Sequence, residues 1–153
     1  MKKSAKEGVI RMSQKVLILI GSESDMEHAK KCSEKLSEFG VENKIEVASA
    51  HRSPQKVDEL VKNSPAKIFI AMAGLSAALP GVVASKTIKP VIGVPLNVKL
   101  EGLDALLSTM NMPSGVPVAT VGVDNAKNAA FLAMRMLALE DEKLAAKLKP
   151  AMK

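Results

Sequence analysis

The amino-acid sequence predicts an α/β fold, a doubly wound three-layer sandwich with a central five-stranded parallel sheet. Two observations support this class. Five apolar runs of strand length alternate with segments of helical periodicity. Runs that are apolar throughout are typical of parallel strands covered by helices on both faces. At 153 residues the chain suits one domain, which we assign to residues 15–153, after a flexible extension over residues 1–14.

Each predicted strand is a short apolar run bounded by turn-forming residues. The first, Val16–Ile20, reads VLILI and stops at Gly21. The others are Lys44–Ser49, Lys67–Ala73, Pro90–Pro95 and Pro117–Val123.

The predicted helices separate these strands and follow the last one. Asp25–Phe39 has apolar residues spaced by three or four and a glycine after it, and Pro54–Val61 opens with a proline. Ser76–Thr87 should begin irregularly or late, because Pro80 and Gly81 lie inside it. The remaining helices are Gly102–Thr109, Asn125–Leu139 and Asp141–Leu148. This alternation is typical of a flavodoxin-like sandwich, whose ligands bind beyond the carboxyl ends of the strands.

Composition narrows the possible partners and location. Three Phe and no Trp or Tyr leave almost nothing for nucleic-acid bases to stack on. The net charge of +6 comes from lysines that are interspersed with glutamates and do not form one dense basic block. The apolar runs of the chain are shorter than the ~18 residues of a membrane span. Cys32, the single cysteine, is expected to be a packing residue and fits a reducing cytoplasm. We therefore expect a cytoplasmic protein with no nucleic-acid or membrane partner.

Polar residues follow the first two predicted strands. GSESD after strand one places Ser22, Ser24 and Asp25 where an anion can meet free backbone N–H groups, although these residue types are also preferred helix caps. Taken alone, simple capping is the favoured interpretation of that segment.

SAHRSP after strand two carries a stronger functional signal. Arg52 offers a planar fork for a phosphate or carboxylate, and Ser49 adds a hydroxyl. His51 is the natural proton carrier at these strand ends, the alternative being a structural histidine beside a helix start. The second histidine, His28, lies among charged residues of a helix and is expected to be exposed.

The third strand is followed by AGLSAALPG, in which Gly74, Leu75 and Ser76 leave room for close approach of a planar ligand. Tight helix–sheet packing would use the same small residues. Two separated histidines and one cysteine do not supply a metal-ligand set. P-loop, dinucleotide and nucleophile-elbow motifs are also absent from the sequence.

Taken together, GSESD, SAHRSP, AGLSAALPG, VIGVP, LEGLDALLS and MPSGVPVAT, in this order, resemble the PurE family of de novo purine biosynthesis, from about Val16 to Leu139. The resemblance is greatest to the class I branch in its archaeal form. It implies a mutase that moves a carboxyl group from the exocyclic nitrogen to C4 of aminoimidazole ribonucleotide, without metal or cofactor. It also implies a homo-oligomer, commonly an octamer.

The resemblance implies a role for each matching residue. Ser24, Ser49 and Arg52 would bind the substrate phosphate, and Asp25 the ribose hydroxyls. Ser22 would lie nearer the migrating carboxylate, and His51 would be the general acid and base. The loop with Gly74, Leu75 and Ser76 would line the site for the base and CO2.

Two alternatives stay open. One is the branch that carboxylates with free CO2. Class I sequences usually have a histidine where this chain has Ala78, and the carboxylase branch lacks that histidine, as this chain does. That branch, however, typically has lysine where this chain has Arg52. The other alternative is a non-catalytic nucleotide- or phosphate-binding module.

Overall fold

Five parallel strands form the sheet at the centre of the computed structural model, which describes residues 14–152. In chain order they are β1 (Val16–Ile20), β2 (Asn43–Val47), β3 (Ile68–Ala73), β4 (Val91–Pro95) and β5 (Ala119–Thr120). They lie side by side in the order β2-β1-β3-β4-β5. Because β2 and β3 lie on opposite sides of β1, the strand order reverses there, and the predicted flavodoxin-like α/β fold is confirmed.

Helices cover both faces of this sheet. They are α1 (Met26–Glu38), α2 (Pro54–Asn63), α3 (Leu79–Ala84), α4 (Leu103–Met110), α5 (Ala126–Leu137) and α6 (Glu142–Leu148). Short 3₁₀ turns lead into α1 and α4, at Glu23–Asp25 and Leu100–Gly102, and a third, Lys149–Met152, follows α6.

Alternate residues of β1 supply two separate apolar layers. Val16, Ile18 and Ile20 pack with α1, α5 and α6, whereas Leu17 and Leu19 pack with α2, α3 and α4. All five side chains are buried. The alternation follows from the pleat of a strand, which directs successive side chains to opposite faces. A run that is apolar at every position therefore marks the centre of the three-layer sandwich.

Two elements are much shorter than the sequence pattern predicts. Helix α3 begins only at Leu79, because Leu75 and Ala77 adopt left-handed φ values of 54° and 36° that interrupt the helix. This late start agrees with the prediction from the proline and glycine inside the segment. The fifth strand, predicted over Pro117–Val123, pairs with β4 only at Ala119 and Thr120. It is the edge strand, and the proline at its start cannot donate to a ladder.

The N-terminal extension predicted over residues 1–14 lies outside the described residues, except for Gln14. Between Gln14 and Met152, the helices lack the combination of length and apolarity that crossing a bilayer requires.

Cys32 is a packing residue, as predicted. It is buried between α1 and the sheet, and burial raises the pKa of its thiol to about 12. At pH 8 only about one thiol in ten thousand is then ionised, and the thiolate is the reactive form. We expect a chromogenic aromatic disulfide reagent to label the native protein negligibly at pH 8 and to label the urea-unfolded protein with one equivalent. Rapid labelling of the native protein would contradict the burial of this thiol.

Candidate active site

The carboxyl ends of β1, β2 and β3 surround a cavity of about 430 Å³ at the point where the strand order reverses. Eight of the predicted site residues line it: Ser24, Asp25, Ser49, His51, Arg52, Gly74, Leu75 and Ser76. Parallel strands end at one edge of the sheet, so three segments distant in sequence meet there. The ninth predicted residue, Ser22, lines a shallower neighbouring groove that also contains Arg52.

The segment after β1 is a hydrogen-bonded turn. Ser22 Oγ accepts from the Ser24 backbone N–H at 3.3 Å and therefore caps the 3₁₀ turn. The Ser24 hydroxyl lies 3.0 Å from Ser22 Oγ and 3.4 Å from Asp25 Oδ1. Capping, the simpler interpretation of this segment, thus describes Ser22, whereas Ser24 and Asp25 face the cavity.

The segment after β2 is a second tight turn, and it orients Arg52. The Ser49 backbone N–H donates to Ser53 Oγ at 2.9 Å, and the Ser53 N–H donates to Ser49 O at 2.9 Å. Arg52 Nε donates to Ser49 Oγ at 3.4 Å, and its Nη2 donates to Gly21 O at 3.0 Å. The last bond joins the turns after β1 and β2. A guanidinium has five N–H donors, so these two bonds leave others for an anion.

His51 lies at the top of this turn, is exposed and lines the cavity next to Arg52. An exposed imidazole can exchange protons with both solvent and a bound ligand, as a general acid or base requires. His28 departs from the expectation that it is exposed. Its side chain is mostly covered, Nδ1 is buried, and Nε2 lies 3.9 Å from Asp124 Oδ1.

Asp25 is a partly buried carboxyl group whose pKa is raised. Desolvation by burial is the largest cause, and it outweighs the lowering effects of the Ser24 hydrogen bond and of nearby His28 and Arg52. A raised pKa means that the folded state binds the proton more tightly than the unfolded state does. The associated stability is present at acid pH and lost as the pH rises through the folded pKa, so ionised Asp25 weakens the empty protein.

We therefore expect Asp25→Asn to stabilise the empty protein at neutral pH, with the gain disappearing as the pH falls below the ordinary carboxyl range. The resemblance places Asp25 on the ribose hydroxyls of a nucleotide, so we expect the same change to weaken nucleotide binding by about 1.5–3 kcal/mol, the usual worth of a hydrogen bond to a charged group. Urea unfolding at pH 7 and pH 3, together with titration calorimetry, measures both effects. A loss of stability at pH 7 with unchanged affinity would contradict this role.

The segment after β3 forms the remaining wall from small and apolar residues. Leu75 and Ala77 have left-handed φ values, a conformation that costs about 1–3 kcal/mol each in non-glycine residues and is concentrated at functional sites. Val98, from the segment after β4, also lines the cavity, and its side chain fills the space that a Cβ on Gly74 would need. The contact between Val98 and Gly74 joins two loops, and no pattern in the sequence predicts it.

Asp25 and His51 are the titratable carboxyl and imidazole groups of the cavity wall. Within residues 14–152, no three His, Cys, Asp or Glu side chains are placed together as metal ligands. Fold and site together define a class: a doubly wound α/β protein suited to a small anionic ligand at its switch point, with an imidazole beside it for proton transfer.

Comparisons with known proteins identify the family within this class. The model of the AIR carboxylase family matches residues 15–153. The N5-carboxyaminoimidazole ribonucleotide mutase of Methanocaldococcus jannaschii is 61% identical over 133 residues, 87% of this chain and 85% of the relative. A probable N5-carboxyaminoimidazole ribonucleotide mutase of Methanobrevibacter smithii is 49% identical over 87% of this chain, which spans 40% of that longer protein.

A solved structure agrees with the sequence comparisons. The crystal structure of Treponema denticola PurE has a TM-score of 0.81 and 37% identity, over 90% of this chain and 88% of that one. The chain belongs to the AIR carboxylase family.

Proposed function

We propose that this protein is an N5-carboxyaminoimidazole ribonucleotide mutase of purine biosynthesis, with one catalytic domain. The observation that carries the proposal is the placement of His51 and Arg52 on the wall of one cavity, at the end of the same strand. There His51 can carry a proton and Arg52 can donate hydrogen bonds to an anion. The relatives that carry the mutase name support it. We place the enzyme in the cytoplasm, the compartment that its single reduced cysteine fits.

The phosphate and the imidazole ring of the substrate would contact different segments of the cavity wall. Arg52, Ser24 and Ser49 would hold the phosphate with charge-assisted hydrogen bonds, and Asp25 would accept from the ribose hydroxyls. The imidazole ring would then lie along Gly74, where small side chains permit close approach. Leu75 and Ser76 complete this wall, and Ser22 would reach the carboxylate from the neighbouring groove.

The chemistry balances with one proton carrier. Protonated His51 gives its proton to the exocyclic nitrogen as the N–C bond to the carboxylate breaks and CO2 is released. C4 attacks CO2, forming a C–C bond, and His51 then takes the C4 proton, so that the ring regains its aromaticity. His51 is protonated again at the end. No other reactant is consumed, because the overall reaction is an isomerisation.

The test is an ultraviolet assay of the purified protein with freshly prepared N5-carboxyaminoimidazole ribonucleotide and no added bicarbonate. We expect rapid formation of 4-carboxy-5-aminoimidazole ribonucleotide. Product formed only from aminoimidazole ribonucleotide with bicarbonate would overturn the proposal in favour of a carboxylase. No product in either assay, with nucleotide binding retained, would indicate a binding module.

We also propose a homo-oligomer, because α4 exposes an apolar stripe. Leu103, Leu107 and Met110 lie on one face of this helix and each exposes about half of its surface, and Leu100 just before α4 is more exposed. Exposed apolar patches of this kind mark protein–protein contacts. The resemblance predicts an octamer, and the proposal here is the oligomer itself.

Charge on this stripe is expected to dissociate the oligomer. Leu103→Glu would bury a charge at the contact, so we expect sedimentation velocity to show smaller species at micromolar concentration. Ile88→Glu is the matched control, because Ile88 is a fully exposed apolar residue on the bend before β4 and is not part of the α4 stripe. A wild-type monomer at micromolar concentration would contradict the oligomer.

A further inference from the structure

Asp124, between β5 and α5, is bonded twice to the segment that leaves β4. Its backbone N–H donates to Pro95 O at 2.9 Å, and its Oδ1 accepts from the Asn97 N–H at 2.9 Å. Asp124 also has a left-handed φ of 56°. Aspartate and asparagine are the side chains that tolerate this conformation best after glycine. One residue outside the cavity thus fixes the backbone on both sides of Leu96.

The segment held in this way carries one wall of the cavity. Val98 follows Asn97 directly, lines the cavity and packs into the space beside Gly74. A Cβ on Gly74 would also lie 3.3 Å from Leu96 O, and the Leu96 N–H donates to Ala73 O at 2.9 Å. The exits of β3 and β4 are therefore in direct contact, and the position of Asn97 determines how closely Val98 covers Gly74.

The far end of the segment is anchored to the same region. A Cβ on Gly102, which has a φ of 80°, would lie 2.5 Å from Val123 Cγ1 and 3.3 Å from Asn97 Cα. Residues 97–102 thus begin and end against residues 123 and 124. His28 of α1 adds a further neighbour, with Nε2 3.9 Å from Asp124 Oδ1. The Asp124 carboxylate is consequently placed between α1 and the β4 exit.

We propose that Asp124 is a positioning residue for carboxyl transfer: through Asn97 it holds Val98 against Gly74 and keeps this wall closed while CO2 is free. The inference rests on the proposed mutase function. CO2 released from nitrogen is a small neutral molecule that only a closed apolar wall can retain until C4 attacks it. Asp124 does not line the cavity, so its effect falls on retention of CO2 and not on binding of the nucleotide.

Two variants separate the hydrogen bond from the backbone conformation. Asp124→Gly removes the acceptor and accommodates the left-handed φ without strain, so the fold should be preserved. Asp124→Asn keeps an oxygen acceptor at the same place and also tolerates this conformation. Val98→Ala opens the wall directly without touching Asp124, and gives a second measurement of the same wall.

The experiment uses substrate labelled with ¹⁴C in the carboxyl group, in a large excess of unlabelled bicarbonate, corrected for decay without enzyme. We expect Asp124→Gly to release roughly three- to tenfold more label as bicarbonate per product formed, the size of effect expected from one exposed hydrogen bond. KM should change little, because the turns after β1 and β2 hold the nucleotide. Val98→Ala should release label similarly, and Asp124→Asn should restore retention.

The outcomes are separable. If the wild-type protein shows no turnover, the proposed mutase function itself is contradicted. A working wild type with equal label retention in Asp124→Gly would overturn the positioning role. Lower total activity with unchanged retention would also overturn it, because a merely structural residue reduces the amount of active enzyme and not the fate of CO2. Leakage from Asp124→Asn equal to that of Asp124→Gly would contradict the hydrogen bond to Asn97.

Discussion

Replacing His51 with asparagine is expected to lower kcat by roughly 10²–10⁴-fold, the usual contribution of a positioned general acid or base. Asparagine keeps a polar side chain of similar reach but cannot take up a proton near neutral pH. Affinity for the nucleotide should be nearly unchanged, because the proposed contacts to the phosphate and ribose are made by Arg52, Ser24 and Asp25, which line the same cavity. The loss therefore falls on the chemical step.

Single-turnover kinetics and titration calorimetry together test this separation. The matched control is His51→Gly assayed with free imidazole, which should recover part of the rate if proton transfer is the missing function. The cavity has room for this, since His51 is exposed at its edge. Turnover by His51→Asn at the wild-type rate would remove His51 from the mechanism.

The elements predicted best are those whose pattern is local. The predicted bounds of β1 are correct to the residue, because a run buried on both faces must be apolar at each position and Gly21 ends it. The predicted bounds of β5 are wrong, because an edge strand has only one neighbour and its pairing with β4 depends on tertiary register. The late start of helix α3 is predicted from Pro80 and Gly81, but its exact first residue is not, because Leu75 and Ala77 are residue types that rarely adopt the left-handed φ values found here.

The same distinction applies to the cavity. Its polar residues can be placed from sequence, because they follow β1, β2 and β3 directly and parallel strands end together. Val98 and Asp124 cannot, because their importance lies in contacts between segments that are distant in sequence. The expectation that His28 is exposed is wrong, since helical periodicity does not reveal that the β5–α5 turn covers it.

Replacing Arg52 with alanine is expected to weaken binding of the nucleotide strongly. A hydrogen bond to a charged group is worth about 1.5–3 kcal/mol, so the Kd for the nucleotide should rise roughly 10- to 150-fold. The change also removes the bond from Nη2 to Gly21 O, which joins the turns after β1 and β2. At saturating substrate kcat should fall much less, because His51 remains in place.

Two variants identify the source of that loss. Arg52→Lys keeps the charge but not the planar fork, so its Kd should lie between those of the wild type and Arg52→Ala. Lys56→Ala removes the same unit of charge from a residue outside the cavity, whose Nζ donates to Val47 O at 2.6 Å, and it should bind normally.

Titration of the wild type and of Arg52→Ala with aminoimidazole ribonucleotide and with its dephosphorylated nucleoside tests whether Arg52 binds the phosphate. If Arg52 holds the phosphate, removing the phosphate and removing Arg52 should each weaken binding, and the second change should add little to the first. Equal losses that add fully would place the phosphate elsewhere.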